Sequence, residues 1–288
     1  MSVGPLVRLR VKLRRAGPSR KGESVVAEFS SHTPGTFSWP ELATTDQKGA
    51  VSFYRSLFGW DLNEQPIGPT ETYSMFQMRG KEVSAAYSMR PEERQNGAPP
   101  HWNSYVTVAN VDEAVKRAQE LGAKVFAPPF DVMDAGRMAV LQDPTGAVFQ
   151  VWQANKHIGA KILNEPGALC WTELNTRDTK AAETFYTHLF GWTAKHSPPG
   201  SPMEYTEFNN QGHPGIGMMA INEHVPAHVP SYWMPYFQVA DCDASTGKAK
   251  ELGGSIMVPP TDISKTGRFS IVTDPQGAMF ALFTLARE

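Results

Sequence analysis

The amino-acid sequence predicts an α+β fold made of two tandem copies of one domain, each copy a pair of βαβββ units. Three observations carry this. Short alternating apolar segments of strand length are interrupted by only two helical patterns per copy. Gly and Pro are abundant, 24 and 23 of 288 residues, as a chain of many hairpins requires. Above all, the sequence repeats itself. Phe53-Tyr54, three residues, then Phe58-Gly59-Trp60 returns 132 positions later as Phe185-Tyr186 and Phe190-Gly191-Trp192, with Glu41-Leu42 returning as Glu173-Leu174 and Asp46 as Asp178. After one deletion the offset becomes 131: Trp102 matches Trp233, Tyr105 matches Tyr236, Gly136-Arg137 matches Gly267-Arg268, and Asp143-Pro144-x-Gly146-Ala147 matches Asp274-Pro275-x-Gly277-Ala278. The expected division is a basic, disordered extension over 1–33, a first domain over 34–153, a linker over 154–167 and a second domain over 168–288.

Within copy one, residues 37–44 alternate as a strand. Asp46 then caps a helix that runs to about Leu57 and stops at Gly59, since a left-handed glycine ends helices well. Strands are expected near 60–65, 72–79 and 82–89, with Arg79-Gly80 as a turn. The order restarts with a strand over 102–109 and a helix over 112–121, capped by Asn110 or Asp112 and stopped by Gly122. Strands near 124–127, 137–142 and 147–152 complete the copy, and Asp143-Pro144-Thr145-Gly146 has the residues of a tight hairpin turn. Pro91 to His101 reads as a loop.

Composition narrows the function. The formal charge of −2 divides unevenly: residues 1–31 carry seven basic and two acidic side chains, a +5 arm on a −7 body. An acidic body offers nucleic acid no basic surface. No run of about 18 apolar residues occurs, so no membrane span is expected, and a cytoplasmic protein is. Two cysteines, Cys170 and Cys242, cannot build a disulfide scaffold or a cysteine metal site. His224 and His228 are four apart, but Pro226 and Pro230 break any helix there, so a loop is expected. Lys156-His157, in the joining stretch, reads as a domain-docking element.

The strand, the Asp-capped helix ending in Phe-Tyr-x3-Phe-Gly-Trp, and the late Asp-Pro-x-Gly hairpin resemble the vicinal oxygen chelate superfamily of glyoxalases, extradiol dioxygenases and bleomycin-binding proteins. The tandem form is similar to two-domain glyoxalase-like proteins of the mycobacterial 27 kDa antigen type. The resemblance implies that each pair of units curls into a half-barrel whose concave face can hold a divalent metal through three side chains. Those positions fall on Trp39, Asn103 and Gln150 in copy one and on Trp171, Met234 and Ala281 in copy two. Trp, Met and Ala cannot hold a hard cation, and two neutral amides would hold one weakly at best. No cofactor is therefore expected.

Residues two apart on a strand share a face. Glu41 thus joins Trp39, and Asn103 and Tyr105 join Gln150 and Trp152. In copy two Trp171, Glu173, Met234, Tyr236, Gln238 and Phe283 line the matching face. The set suggests two aromatic-walled cups with one carboxylate each, apt for a flat or cationic small molecule, copy one being the more polar. Glu41 and Glu173 are the best candidates for a catalytic base. A structural alternative has them paired with Arg137 and Arg268. The functional expectations are a metal-independent binding protein for a small aromatic or reactive metabolite or drug, or a glyoxalase-type lyase or isomerase acting on methylglyoxal or a related aldehyde. The partner is a small molecule, and the copies pair within one chain or in a homodimer.

Overall fold

The computed structural model describes residues 28–286 apart from 96, 202–203, 223–224 and 264. The basic arm before Glu28 and His224 lie outside the described residues. Copy one runs β1 (Phe37–Thr44), α1 (Gln47–Phe58), β2 (Asp61–Pro66), β3 (Thr72–Met78), β4 (Lys81–Ser88), α2 (Pro91–Gln95), β5 (His101–Thr107), α3 (Val111–Glu120), β6 (Lys124–Val132), β7 (Gly136–Gln142) and β8 (Val148–Ala154). Copy two runs β9 (Leu169–Thr176), α4 (Thr179–Phe190), β10 (Thr193–His196), β11 (Tyr205–Asn210), β12 (His213–Ala220), β13 (Tyr232–Gln238), α5 (Cys242–Glu251), β14 (Ser255–Ile263), β15 (Gly267–Thr273) and β16 (Met279–Leu285).

Each copy is one eight-stranded mixed sheet, ordered β2-β3-β4-β1-β5-β8-β7-β6 and β10-β11-β12-β9-β13-β16-β15-β14. The two units of a copy join through their first strands, with Glu41 opposite Asn103 in antiparallel β1–β5 and Glu173 opposite Met234 in β9–β13. The helix signals act as expected: Asp46 and Asp178 side chains accept from the backbone N–H of Gly49 and Ala181, and Gly59 and Gly191 close the helices with φ of 73° and 72°. Of the two cap candidates for α3, Asn110 is the one that caps it. Two expectations need correction. Pro91–Gln95 forms a short helix inside the expected loop. The strand expected to end at residue 127 continues through Pro128-Pro129 to Val132, because β6 is a bulged edge strand where a missing N–H breaks no ladder bond.

The two copies pack within one chain, and both large cores are shared between them. One joins Ala50, Phe53, Tyr54 and Leu57 of α1 to Phe237, Phe280 and Leu282 of copy two; the other joins Phe149 and Val151 to Phe185, Tyr186 and Trp192. The repeated aromatic motif is therefore inter-domain core. Its polar atoms are paired across the boundary. The Tyr54 hydroxyl donates to Asp274 Oδ2 (3.0 Å) and Tyr186 to Asp143 Oδ2 (2.9 Å), while Trp102 and Trp233 donate to those same tyrosines. Trp60 and Trp192 reach the carbonyls of Gly167 and Gly35. The aspartate of each hairpin turn also accepts turn N–H groups through Oδ1, Asp143 from Ala147 and Asp274 from Ala278.

Removing a phenol here strands a buried carboxylate oxygen and an indole N–H together. Tyr54→Phe and Tyr186→Phe are each expected to lower stability by about 1–3 kcal/mol, read by urea unfolding, with both copies losing stability in one transition.

Candidate functional site

The sheet face opposite each shared core carries a smaller cluster. In copy one Trp39, Tyr105 and Trp152 pack with Tyr73, Met75, Met138 and Leu163; in copy two Met234, Tyr236 and Ala281 pack with Trp171, Tyr232, Phe269 and Phe283. These clusters contain side chains expected to line the two cups. All six side chains expected in cup one come together on this face, and Tyr105 lies beside Gln150 in the parallel β5–β8 register. In cup two Gln238 lies opposite Phe283 at the end of the β13 row.

Each cup is organised around its glutamate. Trp39 Nε1 donates to the Tyr73 hydroxyl (3.1 Å), which donates to Glu41 Oε1 (2.6 Å), while Tyr105 donates to Oε2 (2.7 Å). Copy two repeats this: Trp171 to Tyr205 (3.0 Å), Tyr205 to Glu173 Oε2 (2.9 Å), and Tyr236 to Oε1 (2.9 Å). A third donor completes each set, Asn103 in cup one and Asn175 in cup two, both at 3.4 Å. Tyr73 and Tyr205 were not among the expected site residues, although they recur at the 132 offset. They sit two strands from the glutamate, and the strand between carries Ala85 and Gly217 opposite it. A Cβ on Gly217 would lie 1.9 Å from the Tyr205 hydroxyl, so a small residue there is what lets the tyrosine reach across.

The expected pairing of these glutamates with arginine is overturned. Arg137 binds Asp112 and Asp131, and Arg268 binds Asp243 and Asp262, at the sheet edge. Burial pushes the Glu41 and Glu173 carboxyls above the usual range, and the tyrosine and amide donors, with the charge of Arg90 near Glu41, only partly oppose this.

The cups differ in polarity in the direction expected. In cup one Gln150 Nε2 donates to Asn103 Oδ1 (2.7 Å), leaving Gln150 Oε1 buried without a partner. Cup two has Met234 and Ala281 at those positions. The joining stretch also behaves differently from expectation. His157 docks on the cup of its own copy, its ring edge-on to Trp39 at 4.5 Å, while Trp152 Nε1 donates to its carbonyl. Burial pushes its imidazole down to about 4.

The residues do not fit a metal of the kind the fold suggests. An indole N–H is a donor without a lone pair to offer, Asn103 Oδ1 is taken by Gln150, and thioether and methyl groups stand in cup two. No group of three His, Cys, Asp or Glu side chains arranged for a metal occurs among the described residues.

A family model described as the Glyoxalase/Bleomycin resistance protein/Dioxygenase superfamily matches residues 36–151 and again 168–282. The chain is 40% identical over 254 residues to "Putative glyoxylase CFP32" of Mycobacterium bovis and Mycobacterium tuberculosis, covering 88% of this chain and 96% of that protein. It is 32% identical over 263 residues to "Anthracycline biosynthesis protein DnrV" of Streptomyces peucetius, covering 88% and 94%. Among solved structures it resembles the Mn(II)-bound glyoxalase of Novosphingobium aromaticivorans, with a TM-score of 0.60, 14% identity and 90% and 82% of the two chains covered. It also resembles a variant of homoprotocatechuate 2,3-dioxygenase from B. fuscum (TM-score 0.62, 13%, covering 91% and 74%). At such identities these two show the fold alone. No helix among the described residues is long and apolar enough to cross a membrane.

The buried titratable groups set opposite pH dependences. A glutamate that holds its proton more tightly when folded adds stability that is complete below its unfolded value of 4.5 and is lost as pH rises through the folded value. A histidine held neutral adds stability that is complete above 6.5 and is lost as pH falls toward about 4. In denaturant titrations from pH 4 to 8, Glu41→Gln and Glu173→Gln are expected to lessen the loss of stability on going to neutral pH. His157→Phe is expected to lessen the loss on going to acid.

Proposed function

The chain belongs to the Glyoxalase/Bleomycin resistance protein/Dioxygenase superfamily, and on that premise we propose that it binds flat aromatic or reactive small molecules in its two cups without a family-type metal. The observation that carries this reading is what stands at the metal-ligand positions, aromatic and amide groups in copy one and aromatic, thioether and methyl groups in copy two. Trp39, Asn103 and Gln150 stand in one cup and Trp171, Met234 and Ala281 in the other, each around a glutamate whose oxygens are occupied by tyrosine hydroxyls.

At two matched positions cup two is the more exposed: Trp171 and Phe283 are half-buried where Trp39 and Trp152 of cup one are buried. Rings of this kind offer apolar area and stacking faces, and the buried carboxyl fixes the tyrosines that form the floor. A relative at 32% identity named for anthracycline biosynthesis supports a polycyclic aromatic ligand. The second reading is a glyoxalase-type lyase or isomerase acting on methylglyoxal or its thiol adduct. The relative named as a glyoxylase favours it, and Glu41 or Glu173 would be the base, since a desolvated carboxylate poised above its usual range suits proton abstraction.

With EDTA present, a planar aromatic probe such as 1-anthrol is expected to quench tryptophan fluorescence, and Trp171→Ala to weaken its binding at least tenfold. Added Mn²⁺, Ni²⁺ or Zn²⁺ is expected to leave the affinity unchanged. Turnover of the methylglyoxal–glutathione adduct that depends on metal and disappears in Gln150→Ala would reject the metal-independent reading.

A further inference from the structure

We infer that the His157 imidazole is a built-in stand-in for a ligand ring, seated in the subsite where cup one takes a flat aromatic molecule bearing a hydroxyl group. The inference rests on the reading of the cups as aromatic ligand sites and adds which chemistry cup one selects and what keeps it closed.

Three features point there. The first is position. The ring lies edge-on to Trp39, centroids 4.5 Å apart at 85°, and 6.0 Å from Trp152 at 70°. It fills the angle between two indoles as an aromatic ligand would. The second is tethering. Trp152 Nε1 donates to the His157 carbonyl at 2.9 Å, and the backbone N–H groups of Asn155 and His157 both bond the Ala135 carbonyl. The segment is thus held at the rim by its main chain, and rotation about the His157 side-chain bonds alone would vacate the slot.

The third feature is chemical mismatch. His157 Nε2 and Gln150 Oε1 are both buried without a hydrogen-bond partner. Most buried polar atoms in folded proteins are paired, so an imidazole whose buried Nε2 has no partner fits its slot by shape and not by bonding. Gln150 is 3% exposed and its Nε2 is committed to Asn103 Oδ1, which fixes the amide with Oε1 as the free acceptor. Gln150 lies two residues from Trp152 on the same face of β8, so a ring larger than imidazole, seated against Trp152 and carrying an O–H on that side, would present its donor toward this oxygen. Cup two has Ala281 at the matching position and can offer no such selection.

The test is calorimetric titration of the full chain with 2-naphthol, alongside 2-methoxynaphthalene as the analogue that cannot donate. His157→Ala is expected to add a binding event for 2-naphthol at least tenfold tighter than the wild-type cup-one event. His157→Phe, which refills the slot with a ring, should show no such event, and thermal unfolding of both variants reports that they fold. Gln150→Leu on the His157→Ala background should erase the preference for 2-naphthol over its methyl ether. If His157→Ala titrates like wild type, or His157→Phe tightens binding equally, the stand-in role is wrong. Binding in cup two, removed by Trp171→Ala, is the control that separates the two failures. Its persistence without a cup-one gain overturns only this inference, and no binding in any variant overturns the reading of both cups as well.

Discussion

The structure depends on a reciprocal bond. Each copy's hairpin aspartate accepts a hydroxyl proton from the other copy's helix, Tyr54 to Asp274 and Tyr186 to Asp143. These groups are buried, so neither partner can turn to water, and leaving one unpaired costs more than the bond itself is worth. The pair of bonds fixes how the two sheets meet. It also makes the copies interdependent, since the aromatic residues of α1 and α4 complete a core that half belongs to the other copy. One domain alone would expose that aromatic surface.

That arrangement assigns the faces of the sheets. Helices and the repeated aromatic motif cover one face of each, which leaves the opposite face free to form a cup. The cup is then built by a second interaction that is equally symmetric, the run from tryptophan to tyrosine to glutamate with a further tyrosine from the fifth strand of the copy. A buried carboxyl bonded by three neutral donors is an acceptor that orders aromatic rings around itself. The small residues Ala85 and Gly217 make the geometry possible by letting a tyrosine lie across the strand between.

The two copies have kept this frame and diverged within it. Asn175 supplies in cup two the amide donor that Asn103 supplies in cup one, from a different strand. Met234 and Ala281 replace Asn103 and Gln150, so the second cup is apolar where the first is polar. Divergence at fixed architecture is what a duplicated chain permits once the shared cores are satisfied.

The duplication, the αβ pattern of each unit and the helix ends at Asp46, Gly59, Asp178 and Gly191 were legible in the sequence, because capping and hydrophobic period are local. The face shared by Trp39, Glu41, Asn103, Tyr105, Gln150 and Trp152 was also legible, since strand alternation and the repeat offset both encode it. What sat beyond reach were contacts with no sequence spacing. Tyr73 meets Glu41 across an intervening strand, His157 folds back from the linker, Tyr54 finds Asp274 in the other copy, and Arg137 turns to Asp112 and Asp131 instead of Glu41. The sequence by itself determined the duplication and the sheet face that Trp39, Glu41, Asn103, Tyr105, Gln150 and Trp152 share. Only the tertiary structure decided what each carboxyl bonds to and which cup is covered, because those outcomes depend on how sheets, linker and partner domain close around groups that must be paired once water is excluded.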